Sequence, residues 1–296
     1  MCSCRGKMIK LVKGGDFMDR IGFIGYGSMG SMLVKGLIGS GQVRQEQIIV
    51  TRKDKSRLDE IKKTWPEINV ARNAADTAKD ADYIFICVKP LEYLDILKEI
   101  KPFIRPDHHI VSIAGAVAVE DIEKMADCKI TKVIPTVLSE VREGITLVCH
   151  NGRVTEEDSA RIGALLGSIG RIWRIDEKDF GFATELTSCG PGLIAAVFHE
   201  LVEAGLRHTD RFGRDEITEM VLQTMYGTSR LILEKKMDFR DVITRVATRG
   251  GITEEGVKVI EKGLPQVFDE MLDQCMRKRE AVNGKILYQF RDIQER

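Results

Sequence analysis

From Arg20 to about Arg174, short β-branched runs alternate with amphipathic stretches. The runs Ile21–Ile24, Ile48–Val50, Asn69–Ala71, Tyr83–Val88, His109–Ile113, Ile130–Ile134, Thr146–Cys149 and Arg171–Arg174 read as strands. The alternation is a βαβ pattern, which predicts a doubly wound sheet with helices on both faces. Beyond Lys178 the strand signal stops. Leu193–Val202 is apolar nearly all round, and Ile217, Met220, Val221, Met225, Leu231 and Ile232 recur at helical spacing. The chain is therefore expected to be α/β, with an N-terminal sheet domain over residues 18–178 and an all-helical domain over 179–296. Gly263 followed by Pro265 predicts the end of one helix and the start of the next.

Within the first unit, Gly25-Tyr26-Gly27-Ser28-Met29-Gly30 follows a strand and opens a helix whose Met29, Met32, Leu33, Leu37 and Ile38 share a face. This is the context of a Rossmann dinucleotide fingerprint. Gly25 is expected to make the tight turn, Gly27 to let backbone amides approach a pyrophosphate, and Gly30 to let helix and strand pack closely. The end of the second strand discriminates between cofactors, because a carboxylate there suits a ribose 2′-hydroxyl and cations suit a 2′-phosphate. Here it reads Thr51-Arg52-Lys53, which favours NADP. NAD is the alternative, with Asp54 on the ribose and Arg52 and Lys53 as solvated charges.

Composition narrows the partners. The 296 residues are 43% apolar and 30% charged, and 45 basic residues balance 45 acidic ones. A net charge of zero argues against nucleic acid or an anionic bilayer as the main partner. Apolar runs such as Tyr83–Val88 are too short to cross a membrane, so no span is expected. Seven scattered cysteines, without paired spacing, point to a reducing cytoplasm and to no metal site. Residues 1–17 read as an unstructured extension, too weakly apolar for a leader despite Arg5, Lys7, Lys10 and Lys13, and Met18 is an alternative start.

Four further motifs occur in order: Cys87-Val88-Lys89-Pro90, Ser112-Ile113-Ala114-Gly115, Ser188-Cys189-Gly190-Pro191 and Gly250-Gly251-Ile252-Thr253. In this order the chain after Met18 resembles the pyrroline-5-carboxylate reductases, and more closely their late-competence branch from spore-forming bacteria. The resemblance implies NADPH-dependent reduction of a cyclic imino acid to L-proline. It also implies a helical domain that interlocks into a homodimer, in some members stacked into larger rings. By the same resemblance Val88, Lys89, Pro90 and Ala114 would touch the cofactor, and Gly250, Gly251, Ile252 and Thr253 the substrate. Departures are visible: Thr187-Ser188-Cys189-Gly190-Pro191-Gly192-Leu193 stands where proline-forming members carry Ser-Gly-Ser-Gly-Pro-Ala-Tyr. Ile252 replaces the first threonine of Gly-Gly-Thr-Thr, and Ile134-Pro135-Thr136-Val137-Leu138 replaces Met-Pro-Asn-Thr-Pro. A related imine or carbonyl substrate, and a non-catalytic NADP-binding regulator, stay open as alternatives.

Chemically, the Gly250, Gly251 and Ile252 amides with the following helix N-terminus suit a carboxylate. By the resemblance Thr253 is the candidate catalytic residue, which would hydrogen-bond the ring nitrogen or orient a water; from its neighbours it also reads as an N-cap ahead of Glu254 and Glu255. Lys89 either contacts the cofactor or ends the strand. Cys189 reads as a small structural residue, because no histidine is placed beside it, and the histidines themselves read as surface or satisfied core residues.

Overall fold

The structure is a computed structural model that describes residues 7–8, 19–54 and 58–291. Among the described residues the strands are β1 (Lys7–Met8), β2 (Ile21–Ile24), β3 (Ile48–Thr51), β4 (Asn69–Val70), β5 (Tyr83–Ile86), β6 (His109–Ser112), β7 (Lys129–Ile134), β8 (Ile145–His150) and β9 (Arg171–Arg174). They form one sheet in the order β1-β9-β8-β7-β6-β5-β2-β3-β4. From β4 to β7 every neighbouring pair is parallel, whereas β7–β8 and β1–β9 are antiparallel. The parallel part is the Rossmann order, with its switch point between β2 and β5.

Parallel strands covered on both faces lose the alternation of half-buried strands and read as continuous apolar runs. All four residues of β2, β3, β5 and β6 are buried. Successive side chains feed two separate cores. One holds Ile24, Ile84, Ile86, Ile110 and Ile130, with residues of α3 (Ala74–Asp80) and α4 (Tyr93–Ile100). The other holds Phe23, Phe85, Val111 and Val133, with residues of α1 (Ser28–Gly39) and α6 (Glu156–Gly167). Phe23 and Phe85 stack across the switch point, with ring centroids 4.8 Å apart. The short helices α2 (Leu58–Thr64) and α5 (Val119–Glu123) complete the alternation.

At the amino-terminal edge of the parallel strands a hydrogen-bonded chain crosses β6, β7 and the antiparallel β8. His109 Nε2 lies 2.6 Å from Thr131 Oγ1, which lies 2.8 Å from His150 Nδ1, and His150 Nε2 meets Ser159 Oγ at 2.9 Å. Burial holds His109 down at about 3 and His150 at about 4, so both rings are neutral at physiological pH. These are core histidines, on the opposite edge of the sheet from the glycine turn. His109 opens β6, as its strand run predicts.

By its contacts the chain divides into two units, Met1–Cys189 with Met276–Arg296, and Gly190–Cys275. Grouped by contacts, residues 180–189 and the chain's last segment join the first unit. Burial accounts for this grouping. Phe180, which opens α7 (Phe180–Thr187), and Ile286 and Phe290 near the chain's end are all in the first core. Glu185, only 2% exposed, accepts from Arg279 Nε at 2.8 Å, a pairing across 94 residues that no local pattern announces. Of the expected N-terminal extension, Lys7–Met8 pair antiparallel with β9 through Lys7↔Arg174 and Met8↔Trp173, so these two residues are not unstructured. Residues 1–6 and 9–18, Met18 included, lie outside the described residues.

The second unit contains α8 (Gly190–His208), α9 (Arg214–Lys235), α10 (Phe239–Val246) and the start of α11 (Ile252–Arg291). His208 ends α8. Gly205 lets α8 and α9 approach, since a Cβ there would meet Ile217 Cγ2 at 3.0 Å. The expected break at Gly263 and Pro265 does not occur, and Pro265 sits inside α11. Proline removes one hydrogen bond, to the carbonyl four residues back, but the ladder continues on either side through a sequence rich in Glu, Lys and Leu. Glu177–His208 is long and apolar enough by length and composition to pass for a membrane span, with a mean hydropathy of 1.2, where none was expected. Its backbone is broken between Thr187 and Gly190, and α8 carries His199, Glu200 and Glu203. Apolar Ile194, Val197 and Leu201 on α8 are exposed in the single chain.

Candidate active site

The three glycines of the turn do different things. Gly25 has φ +101°, and a Cβ there would fall 2.7 Å from the Cys87 carbonyl oxygen. Gly30 is tighter, its Cβ falling 2.3 Å from the Gly25 carbonyl oxygen. Both positions are closed to any other residue by backbone atoms that cannot rotate away. Gly27 by contrast has open space around its Cβ position, although it sits at the N-cap of α1. No side chain caps α1, and its first turn holds no acidic residue. The amides at this helix end, together with the macrodipole, are left for an outside anion. The turn therefore fits a pyrophosphate, with an open approach at Gly27 and closed packing beneath it.

The neighbouring residues are placed as follows. Ser28 is exposed at the helix start. Tyr26 and Met29 are half-buried and pack against the core on the α1 side, so the Tyr26 ring is partly committed to packing, and burial raises its pKa. Lys89 is exposed, while Ala114, at the end of β6, is buried. The carbonyl of Lys89 accepts from the Glu92 N–H at 2.9 Å, closing a turn with Pro90 at its first position.

Beyond the turn a cleft of about 380 Å³ opens at the carboxyl ends of β2, β3 and β5, with Gly25, Thr51, Arg52, Lys53 and Val88 among its walls. Arg72, Asn73 and Glu92 also line it, and none of them was singled out in the sequence. Thr51 is only 5% exposed and its hydroxyl donates to the Ala71 carbonyl at 3.3 Å. It ties strand ends together instead of offering a hydroxyl to a phosphate. Lys53 pairs with Glu92 at 3.3 Å in an exposed and weak bridge. Glu99 accepts from the Ala74 and Ala75 amides at 2.9 and 3.2 Å.

In the second unit the segment Gly250–Thr253 departs from the sequence expectation in two ways. α11 starts at Ile252, so Thr253 lies inside the first turn and is not its N-cap. Two of the three amides assigned to a substrate carboxylate are already used. The Gly250 N–H donates to Glu254 Oε2 at 2.7 Å and the Gly251 N–H to the Thr248 carbonyl at 2.8 Å. The Ile252 and Thr253 N–H groups have no intrahelical acceptor at this helix end. Both residues are exposed, Ile252 at 96%. Cys189 is exposed and precedes α8; His109 and His150 lie in the sheet, and His199 and His208 lie further along α8.

Strand order, turn and uncapped helix together define a dinucleotide-binding domain of the Rossmann class. Over 270 residues the chain is 34% identical to pyrroline-5-carboxylate reductase 3 of Bacillus subtilis, covering 91% of this chain and 98% of that one. The chain belongs to the pyrroline-5-carboxylate reductase family. A family model described as pyrroline-5-carboxylate reductase dimerisation matches residues 177–282, and one described as NADP oxidoreductase, coenzyme F420-dependent, matches residues 20–116. ComE operon protein 4 of the same bacterium is 27% identical over 92% of this chain and 99% of its own length, in line with the resemblance to the late-competence branch. Among solved structures, Plasmodium falciparum pyrroline carboxylate reductase with NADP bound superposes with a TM-score of 0.80 at 25% identity, covering 92% of this chain and 99% of that one.

Proposed function

We propose that this chain reduces the C=N bond of 1-pyrroline-5-carboxylate with NADPH to give L-proline. The observation that carries the reading is family membership along nearly the whole chain, through both the dinucleotide turn and the Gly250-Gly251 and Thr253 segment. When bound, the nicotinamide supplies a hydride to the ring carbon. The chain's own residues supply the rest. The α1 N-terminus and the open face of Gly27 hold the pyrophosphate, and Arg52 meets the 2′-phosphate. Val88, Lys89, Pro90 and Ala114 are assigned to the cofactor as strand-end residues.

For the imino acid, the Ile252 and Thr253 amides and the α11 macrodipole are assigned to the carboxylate, since Gly250 and Gly251 shape the turn but have spent their N–H groups. Thr253 is assigned to the proton side of the reaction. Its hydroxyl hydrogen-bonds the ring nitrogen or orients the water that protonates it, so that carbon gains the hydride and nitrogen the proton. A threonine hydroxyl is too weak an acid to ionise, and its part is positioning and charge stabilisation. A cytoplasmic setting accords with the cysteines, since among the described residues Cys87, Cys128, Cys149, Cys189 and Cys275 form no disulfide. The test is steady-state NADPH oxidation with pyrroline-5-carboxylate beside a panel of other cyclic imines. Turnover is expected to be highest with pyrroline-5-carboxylate; preference for another imine would reassign the substrate, and absence of turnover with any would favour a regulatory role.

The reading also includes a homodimer, built on the residues matched by the dimerisation model. It gives a cover to Ile194, Val197 and Leu201 of α8 and to Met220 and Leu222 of α9, all at least 37% exposed in one chain. Stacking of dimers into a ring is the finer expectation from family resemblance. Light scattering at low micromolar concentration is expected to give at least twice the 33.3 kDa chain mass. A monomeric mass would contradict the dimer.

A further inference from the structure

The cofactor cleft holds a second guanidinium, outside the fingerprint, whose backbone is locked beside that of Arg52. Ala71 makes the lock: its N–H donates to the Val50 carbonyl at 3.0 Å and its carbonyl accepts from the Thr51 hydroxyl at 3.3 Å. On the other side Asn73 caps α3, its Oδ1 accepting from the Asp76 N–H at 2.7 Å. Arg72 lies between these two fixed residues, and it lines the same cleft as Arg52. Of the other charges there, Lys53 and Glu92 neutralise each other, and Glu99 is taken by two amides. Asp95 also lines the cleft, from the first turn of α4. Among the described residues, neither Arg52 nor Arg72 has a hydrogen-bond or ion-pair partner.

We infer that Arg72 acts with Arg52 as a two-guanidinium clamp on the adenosine 2′-phosphate, which makes Arg72 a specificity-determining residue for the phosphorylated cofactor. A phosphate monoester carries close to two negative charges at neutral pH and three acceptor oxygens, enough for two planar Arg forks at once. A bare ribose hydroxyl gains nothing from a second cation, and Asp95 sets a background of negative charge that one arginine alone would only balance. The lock through Ala71 and Asn73 lowers the ordering cost of the clamp, because both backbones are fixed before the cofactor arrives.

The inference rests on the NADPH reading, and calorimetry on the full chain separates the two. The native protein is expected to bind NADPH at least about ten-fold tighter than NADH. Arg72→Gln, an exposed change expected to leave the thermal transition in place, should weaken NADPH by about 10- to 100-fold and NADH by less than about two-fold. Arg72→Lys should fall between, keeping charge without the fork. A native preference for NADPH that survives Arg72→Gln overturns the clamp and leaves Arg52 as the phosphate ligand. Equal weakening of both cofactors also overturns it, placing Arg72 on a part that they share. Equal affinity in the native chain overturns the NADPH reading itself, and the clamp with it.

Discussion

Gly27→Ala is expected to fold normally and to lose the cofactor, whereas Gly25→Ala and Gly30→Ala are expected to lose stability first. At Gly27 a methyl meets nothing within the protein, and φ of −88° suits any residue. Its cost is that of a poorer N-cap, about 1 kcal/mol or less. The same methyl would stand where the pyrophosphate must approach the backbone, so NADPH affinity should fall by about a hundred-fold or more. At Gly25 the new methyl would face both a left-handed φ of +101° and a carbonyl oxygen at 2.7 Å, and at Gly30 a carbonyl oxygen at 2.3 Å. Strain of roughly 1–3 kcal/mol and overpacking of a similar size should each lower the melting temperature by several degrees. Differential scanning calorimetry and NADPH titration on the three variants check this. Unchanged affinity in Gly27→Ala would falsify the assignment of this turn to the pyrophosphate.

The contrast among these glycines shows what a sequence can and cannot report. The turn was readable because all its parts lie within six residues and its context is a strand and a helix. Strands β2 to β9 were readable to within one or two residues for a similar reason: β2, β5 and β6 are buried on both faces, so their apolar runs are continuous. Errors gathered where distant segments meet. Arg72 follows a weak two-residue strand, and only the ties from Ala71 to Val50 and Thr51 show that it belongs beside Arg52. The chain's last segment groups with the sheet because Glu185 pairs with Arg279 and Ile286 and Phe290 are buried in the first core, contacts that no local pattern announces. Pro265 misled in the other direction, a local signal overridden by the helix on either side of it. At Gly250 the motif was legitimate as chemistry, but Glu254, four residues on, claims the first amide for itself.

That last detail changes how Thr253 can be tested. Had Thr253 been the N-cap of α11, its replacement would have lowered stability and activity together, and an asparagine control would have been needed to separate them. The helix begins at Ile252, so Thr253 sits at an exposed position in the first turn. Alanine is at least as good a helix former there, and Thr253→Ala is expected to melt within a degree or two of the native chain. Any loss of activity then belongs to the hydroxyl. Thr253→Ser keeps that hydroxyl and should retain most of the turnover, while Thr253→Ala should lower kcat/KM by roughly ten- to a thousand-fold. The split between constants refines the role: a hydroxyl that assists protonation in the transition state lowers kcat, whereas one that only holds the ring raises KM. Thr253→Val, which keeps the branched shape without the hydroxyl, should behave as alanine does. A folded Thr253→Ala with native kcat and KM for pyrroline-5-carboxylate would remove Thr253 from the reaction and leave the Ile252 and Thr253 amides as the second unit's contribution to the substrate.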